Sequence, residues 1–434
     1  MKGLLIIILF ISPVFVHAQQ VGETEILKWP EGKKAAVSLT YDDGTLNQFH
    51  VALPIMESLG MRGTFYINTG EIPSSQHRAQ FFGREAAEIL EESKEIPTDE
   101  SNIFERASLI RFLDMSDAVS FHDRAGAAYE QGRKSMAYQL IDEGFGQAVS
   151  MGVKNLVSPQ IIDGPMIDWD EIRTYAENGH EFGVHTISHP RLAVLDEANL
   201  LYELEKCRDE IEVQLGKEFL FSAECPFGTE DERVMEYALE MFPATRNRMP
   251  EPFLEEINRS GKFDPTFDYN KEYVQWQRGP LSGTSLELMR SWVEDILTRE
   301  DTWLVLVFHG IEGIGWEAIP EKTIRPYFEY IAGKDGIWVG TFAEVTKYIR
   351  QRMHTKVSSA LDHESLKISL SSELDSFWYD QKLSLKTIIP SDWNNVVLSH
   401  GDTKEELSIE VDGNEKFVMY SVPAEVSELI LSNR

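Results

Sequence analysis

The sequence predicts an α/β protein: a mainly parallel sheet or (β/α) barrel with a long helical insertion, followed by a small all-β domain. Three observations predict it. Strand-like runs alternate with helical patterns from Ala35 to about Arg352. The alternation breaks once, over roughly residues 71–165, in a stretch far longer than a simple crossover needs. After about Val357 the pattern changes to period two. Strand–helix alternation is the mark of a parallel sheet covered by helices, and period two is the mark of half-buried antiparallel strands. With 434 residues, the chain is long enough for two domains, or for one large domain with an appendage.

The elements follow in order. Ala35 to Thr40 is a buried-strand candidate; Asn47 to Leu59 has helical spacing and stops at Gly60. Gly63 to Asn68 and Glu181 to His185 are the next strands, separated by the insertion, which holds helical patterns at Arg84 to Glu95 and Ala127 to Leu140. Because it follows a strand's carboxyl end, where chemistry collects in such folds, the insertion is either a substrate-shaping cap or a lateral decoration. Asp196 reads as an N-cap, ahead of a helix whose Leu200, Leu204, Cys207, Ile211 and Leu215 share one face. Phe219 to Ser222, Phe242 to Arg246, Trp303 to Phe308 and Ile337 to Thr341 complete the strands. In the tail, 366–370, 383–387 and 407–411 alternate, Asp412-Gly413-Asn414 is a turn, and Phe417 to Ser421 resumes a strand, so 357–434 reads as a small β-sandwich-like domain. Its neighbourhood holds aromatics such as Trp378, Tyr379 and Trp393, either core residues or sugar-stacking ones.

The first 18 residues read as a secretory signal peptide. Lys2 is the basic start, Leu4 to Val16 is a nearly unbroken apolar run too short for an ordinary membrane span, and Val16-His17-Ala18 is the expected cleavage site. A secreted or periplasmic protein follows, with residues 19–352 as the main domain and no stable membrane insertion after cleavage. The net charge of −31 becomes −32 once Lys2 is removed, and a surface so acidic repels phosphate backbones, which argues against nucleic acid as a partner. Two cysteines, Cys207 and Cys225, do not make a disulfide framework, and Cys207 on its apolar stripe reads as a buried small hydrophobe.

Three strand ends carry candidate chemistry. Thr40-Tyr41-Asp42-Asp43-Gly44 places two carboxylates side by side; their repulsion is relieved if one binds a cation while the other serves as a base. Asp-Asp-Gly alone is also a common turn. His185 and His189, four apart and followed by Pro190, can place two imidazoles on one cation from a strand end and the next element's start. His309 ends the apolar run Val305-Leu306-Val307-Phe308, and an imidazole there suits proton transfer near neutral pH. Taken together, one Asp and two His make a three-ligand site, with a second Asp and a third His left over as base and acid.

The order and spacing resemble the polysaccharide deacetylases, also called carbohydrate esterase family 4 or NodB-like proteins. Thr40 to Gly44 resembles their first motif, Gly179 to Pro190 the second, and Leu306 with His309 the last. The resemblance covers roughly Ala35 to Tyr348 without the insertion. It implies a distorted (β/α) barrel of the NodB type, a divalent metal (Zn²⁺) held by Asp43, His185 and His189, Asp42 as catalytic base and His309 as general acid. It also implies Leu306 lining an acetyl pocket, Pro226 and Phe227 as groove wall, and removal of acetyl groups from a carbohydrate. The third motif departs from the family: Ala223-Glu224-Cys225-Pro226-Phe227-Gly228 has Glu224 where the family carries an arginine. Arg246 or Arg278 is the replacement that would supply positive charge near Asp42. The family's Asp-Trp motif is not evident, with Trp276 and Arg278 near its expected place. Other readings are a hydrolase of a different amide or ester on the same scaffold, and a glycan-binding protein without catalysis. The sugar, the N- or O-linkage of the acetyl group and the oligomeric state are left open.

Overall fold

The structure is a computed structural model that describes residues 20–159, 164–229, 231–248, 253, 257–260, 271–362, 364–423 and 425–434. The expected signal peptide lies outside the described residues. The chain divides into two compact units, one of residues 28–354 with 374–381, the other of the described residues up to Leu27 with 355–373 and 382–434. The first strand, β1 (Thr24–Ile26), belongs to the second unit, although sequence alone grouped it with the first. Three residues are too few to show which sheet they join.

The larger unit is built on nine parallel strands among the described residues: β2 (Ala35–Tyr41), β3 (Thr64–Ile67), β4 (Glu181–Val184), β5 (Ser222–Ala223), β6 (Ala244–Thr245), β7 (Ile257–Ser260), β8 (Tyr273–Arg278), β9 (Thr302–Phe308) and β10 (Ile337–Val339). Their order across the sheet is β6-β5-β4-β3-β2-β9-β8-β7, and β10 pairs with the first half of β2. The central strands β2 and β9 are buried along their whole length, as a sheet covered on both faces requires. Alternation sorts their side chains. Val37, Leu39 and Tyr41 join Leu304, Leu306 and Phe308 in a core under the helices. Ala36, Trp303, Val305 and Val307 join Phe221, Tyr273 and Phe342 on the opposite, inner face. Each buried Val, Leu or Phe among them contributes about 1.5–3 kcal/mol by leaving water.

The helices around this sheet are α1 (Leu53–Ser58, after a π-helical turn Gln48–Ala52), then α2 (Ala86–Glu92), α3 (Ile103–Ile110), α4 (Ala118–Glu130) and α5 (Lys134–Met151) of the insertion, and α6 (Trp169–Glu177). They continue with α7 (Glu197–Leu215), α8 (Glu232–Met241), α9 (Leu286–Arg299), α10 (Glu321–Ala332) and α11 (Phe342–His354). Asp196 caps α7 by accepting from the Asn199 N–H at 3.1 Å, and Leu200, Leu204, Cys207 and Ile211 on its stripe are buried. Cys207 and Cys225 are both buried. The insertion has a core of its own, including Ile110, Leu113, Phe121, Leu140, Ile141 and Phe145. The helix expected over 127–140 is two helices, because Gly132, at φ +73°, turns the chain between α4 and α5.

Two stretches differ from expectation. Lys217–Leu220 is a 3-10 turn and the strand after it is only Ser222–Ala223. The strands β7 and β8 were not expected; β8 hides from a hydropathy reading because its inner face is polar. There Gln275 and Gln277 donate to the Arg246 carbonyl and to Asn247.

The smaller unit adds β11 (Lys356–Asp362), β12 (Ser365–Ser371), β13 (Leu383–Ile389), β14 (Val396–His400), β15 (Thr403–Leu407), β16 (Ile409–Asp412), β17 (Glu415–Val422) and β18 (Glu428–Asn433). They form two antiparallel sheets, β1-β13-β17-β16 and β11-β12-β18-β14-β15. The alternating run 407–411 is split at Ser408 between β15 and β16. Trp393 is buried and so offers no face to a sugar, while Trp378 and Tyr379 pack on Phe221 in the larger unit. No helix among the described residues is long and apolar enough to cross a membrane.

Candidate active site

The carboxyl ends of β2, β4 and β9 meet at one place, and each delivers the residues singled out in the sequence. The loop after β2 carries Asp42 and Asp43, the loop after β4 carries His185 and His189, and β9 is followed by His309. Asp43 Oδ1 lies 3.4 Å from His189 Nε2 and 3.8 Å from His185 Nε2, and one ligand atom from each of the three lies within 4.8 Å of the others. The His185 Nδ1–H donates to the Glu224 carbonyl at 2.8 Å, which turns Nε2, buried and without a hydrogen-bond partner, into the site.

The electrostatics suit a cation. Burial, then the neighbouring Asp42 charge, push the Asp43 carboxyl up to about 7, with Arg246 partly opposing. Burial holds His185 down to about 4 and His189 well below the ordinary imidazole range. Two neutral imidazoles with an orphaned buried nitrogen, next to a carboxyl that is costly to ionise alone, are what a divalent ion needs. The residues present therefore fit the expected metal.

Asp42 has a different environment. Arg246, from the end of β6, grips it with both nitrogens, Nη1 to Oδ1 at 2.6 Å and Nη2 to Oδ2 at 2.7 Å. Arg246 Nη2 is also 3.0 Å from Glu224 Oε1, and Asn247 Nδ2 donates to that same oxygen. Burial alone would raise the Asp42 carboxyl; the Arg246 charge and hydrogen bonds, with His309 and His185, outweigh it and hold Asp42 well below the ordinary carboxylate range. His309 Nε2 lies 3.4 Å from Asp42 Oδ2. Burial lowers the His309 imidazole, with Asp42 opposing.

Several residues occupy places other than those expected. Leu306 does not line the cleft: it is 0% exposed in the core under the helices, because inner and outer side chains alternate along β9 and Val307 takes the inner position. Arg278 is on that outer face too, with its guanidinium over Trp292 at 4.9 Å, so it does not serve Asp42. Arg246 is buried between two carboxylates and positions Asp42; it has no surface for a substrate. Pro226 is buried, whereas Phe227 is 46% exposed with its ring 4.5 Å from that of His189.

Sequence reasoning missed others. Gln48 Nε2 donates to the Asp42 carbonyl and, at 2.8 Å, to the His309 carbonyl, tying the two strand ends together; nothing in its sequence context marks it. Trp316 is 58% exposed with its ring 4.8 Å from that of His309, and its place in Gly313-Ile314-Gly315-Trp316, just past His309, was a usable signal. Asp43, Thr186, His189 and Phe227 all have positive φ (77°, 70°, 51° and 59°), a concentration of strain of about 1–3 kcal/mol each that marks functional sites.

Residues 136–241 match the family model for polysaccharide deacetylases, and this stretch contains His185, His189, Glu224 and Phe227. That stretch of the chain is similar to the polysaccharide deacetylases. A relative described as a gellan lyase from a Bacillus species is 23% identical over 256 residues, which is 54% of this chain and 10% of that protein; the chain thus spans about a tenth of that relative's length. Among solved structures, a polysaccharide deacetylase candidate from Mycobacterium smegmatis is 13% identical, covering 77% of this chain and 96% of that one at a TM-score of 0.39. The family 4 carbohydrate esterase from Streptomyces lividans is 10% identical, covering 71% and 93% at a TM-score of 0.31. Against the deacetylase pattern, the exchange in the third motif has a physical account: Glu224 stands where an arginine is usual, and Arg246 from the neighbouring strand supplies the guanidinium.

Proposed function

We propose that this protein is an exported, divalent-cation-dependent polysaccharide deacetylase, a hydrolase that removes acetyl groups from a carbohydrate. The observation that carries the proposal is the convergence of Asp43, His185 and His189 on one point beside the Asp42–His309 pair. Export rests on the apolar Leu4 to Val16 run and its cleavage site.

Asp43, His185 and His189 would hold the cation, Zn²⁺ by its preference for imidazole and carboxylate ligands, and it would supply Lewis-acid polarisation to the acetyl carbonyl and to water. Asp42, kept ionised and aimed by Arg246, accepts a proton from the attacking water as its oxygen bonds to the acetyl carbon. His309, 3.4 Å from Asp42, takes up that proton and gives it to the departing nitrogen or oxygen as its bond to that carbon breaks, which leaves Asp42 ionised again. Acetate and a free amine or hydroxyl on the sugar result. A backbone N–H beside Asp43 or Phe227, both in strained positive-φ conformations, would serve as donor to the carbonyl oxygen. Phe227 and Trp316, both exposed and each against one of the site's imidazoles, favour a pyranose over a small amide, because aromatic faces suit the apolar faces of sugar rings.

Acetate release screened over chitin oligomers, peptidoglycan, acetylated xylan and acetylated bacterial or algal glycans tests the reading, with Asp42→Asn as control. Release by the parent and not by Asp42→Asn is expected. No release from any acetylated glycan by the zinc-loaded chain would defeat it. Release of ammonia or a ring-opened product from a small cyclic amide instead would favour the other hydrolase reading.

A further inference from the structure

We infer that the inserted helices are a structural part of the metal site, with Arg111 and His122 as positioning residues that hold His189 in its ligating place. The inference rests on the reading that Asp43, His185 and His189 bind a cation.

The loop from His185 to Arg191 needs support from outside itself. Thr186 and His189 both sit in the left-handed region, where a residue with a Cβ stays only if its surroundings over-determine it. The determination comes from two directions. Arg111, at the end of α3 in the insertion, is buried beneath the loop. Its Nη2 donates to the Ser188 carbonyl at 2.6 Å and its Nη1 to Ser188 Oγ at 3.1 Å. Glu203 of α7 accepts from the Ile187 and Ser188 N–H groups, both at 2.9 Å, and lies 3.5 Å from Arg111. The residue just before His189 is therefore gripped through its N–H, carbonyl and hydroxyl.

The second grip falls two residues after His189. His122 Nδ1 lies 2.8 Å from the Ala107 carbonyl, a contact that requires the proton on Nδ1. That leaves Nε2 as the acceptor for the Arg191 N–H at 3.0 Å. The Arg191 side chain then reaches Glu130, at the end of α4, at 2.8 Å. Its guanidinium covers the Phe227 ring at 4.1 Å, and Phe227 packs against His189. Close approach is built into α4: a Cβ at Gly126 would lie 2.5 Å from Arg191 Cδ and 2.9 Å from its Cβ. Glycine inside a helix costs about 1 kcal/mol relative to alanine, so local helix stability does not explain it. A buried Arg–Glu pair is likewise a poor source of stability compared with apolar packing, but a good source of one defined geometry. The insertion has its own apolar core for stability; these polar contacts are spent on the loop.

The test is zinc affinity of the metal-stripped full chain, read by competition with a chromophoric chelator, for the parent, Arg111→Met, Gly126→Ala and Asp43→Ala. Arg111→Met is expected to weaken zinc binding about 10–100-fold, the range for partners that orient metal ligands. Gly126→Ala, which favours the helix while displacing Arg191, is expected to weaken it several-fold with the helical circular dichroism retained. If Arg111→Met fails to fold, Gly126→Ala decides. Parent-like zinc affinity in both folded variants overturns the inference. Zinc binding by Asp43→Ala equal to the parent's overturns the metal reading instead, and the two failures are thus told apart.

Discussion

Arg246 holds Asp42 by both carboxylate oxygens, at 2.6 and 2.7 Å, and is itself held by Glu224 at 3.0 Å. The fork geometry aims the carboxylate and keeps it ionised, and lysine cannot reproduce it. Arg246→Lys is expected to lower kcat for acetate release about 100-fold with little change in KM, the scale seen when one preorganised polar contact is removed from a reacting centre. Steady-state kinetics on the best acetylated glycan checks this. A parent-like kcat would show that Asp42 needs no positioning from Arg246.

Trp316 stands exposed against His309 on a loop held by backbone bonds from Gly310 to Trp316 and from Ile311 to Ile314. The ring is thus presented on a rigid support beside the imidazole proposed to protonate the leaving group. Trp316→Ala is expected to raise KM about tenfold, or ~1.4 kcal/mol of binding, while kcat on a saturating oligosaccharide stays within about twofold. A fall in kcat with unchanged KM would place Trp316 in orienting His309 instead.

His122 gives a pH-dependent prediction away from the metal ligands. Burial, then the Arg111 charge, hold its imidazole down to about 3, with the Ala107 bond opposing and Arg191 adding to the fall. The unfolded chain takes up this proton near pH 6.5, the folded chain only near 3. Between these values the unfolded state binds more protons, so stability falls as pH drops through the window. Thermal melts at about pH 7 and about pH 4 should show a larger loss of Tm for the parent than for His122→Asn. Equal losses would mean that His122 is not held neutral.

Much of this site was legible because its chemistry sits at strand ends with unusual residue types. The apolar β9 run pointed to His309, and the pair His185 and His189 before Pro190 pointed to a ligating turn. The parts that were not legible depend on contacts distant in sequence. Arg246 is 204 residues from Asp42, and nothing at position 246 shows which carboxylate it meets. Leu306 was misplaced by one step of strand alternation, since an all-apolar strand buried on both faces does not reveal which side is inner. The strand β8 was hidden by its glutamines, which satisfy polar groups inside the unit, and β1 by its brevity. The insertion gave helical periodicity but no sign that Arg111 and His122 turn towards the His185–Arg191 loop.

The central claim is that Asp43, His185 and His189 hold the cation on which deacetylation depends. Its most direct test is reconstitution of the metal-stripped chain with measured amounts of Zn²⁺, following acetate release from an acetylated oligosaccharide. Activity is predicted to be absent at the start, to rise in proportion to added zinc, to saturate at one equivalent per chain, and not to appear in Asp43→Ala. Full acetate release by the stripped chain, or a parent-like titration by Asp43→Ala, would contradict it.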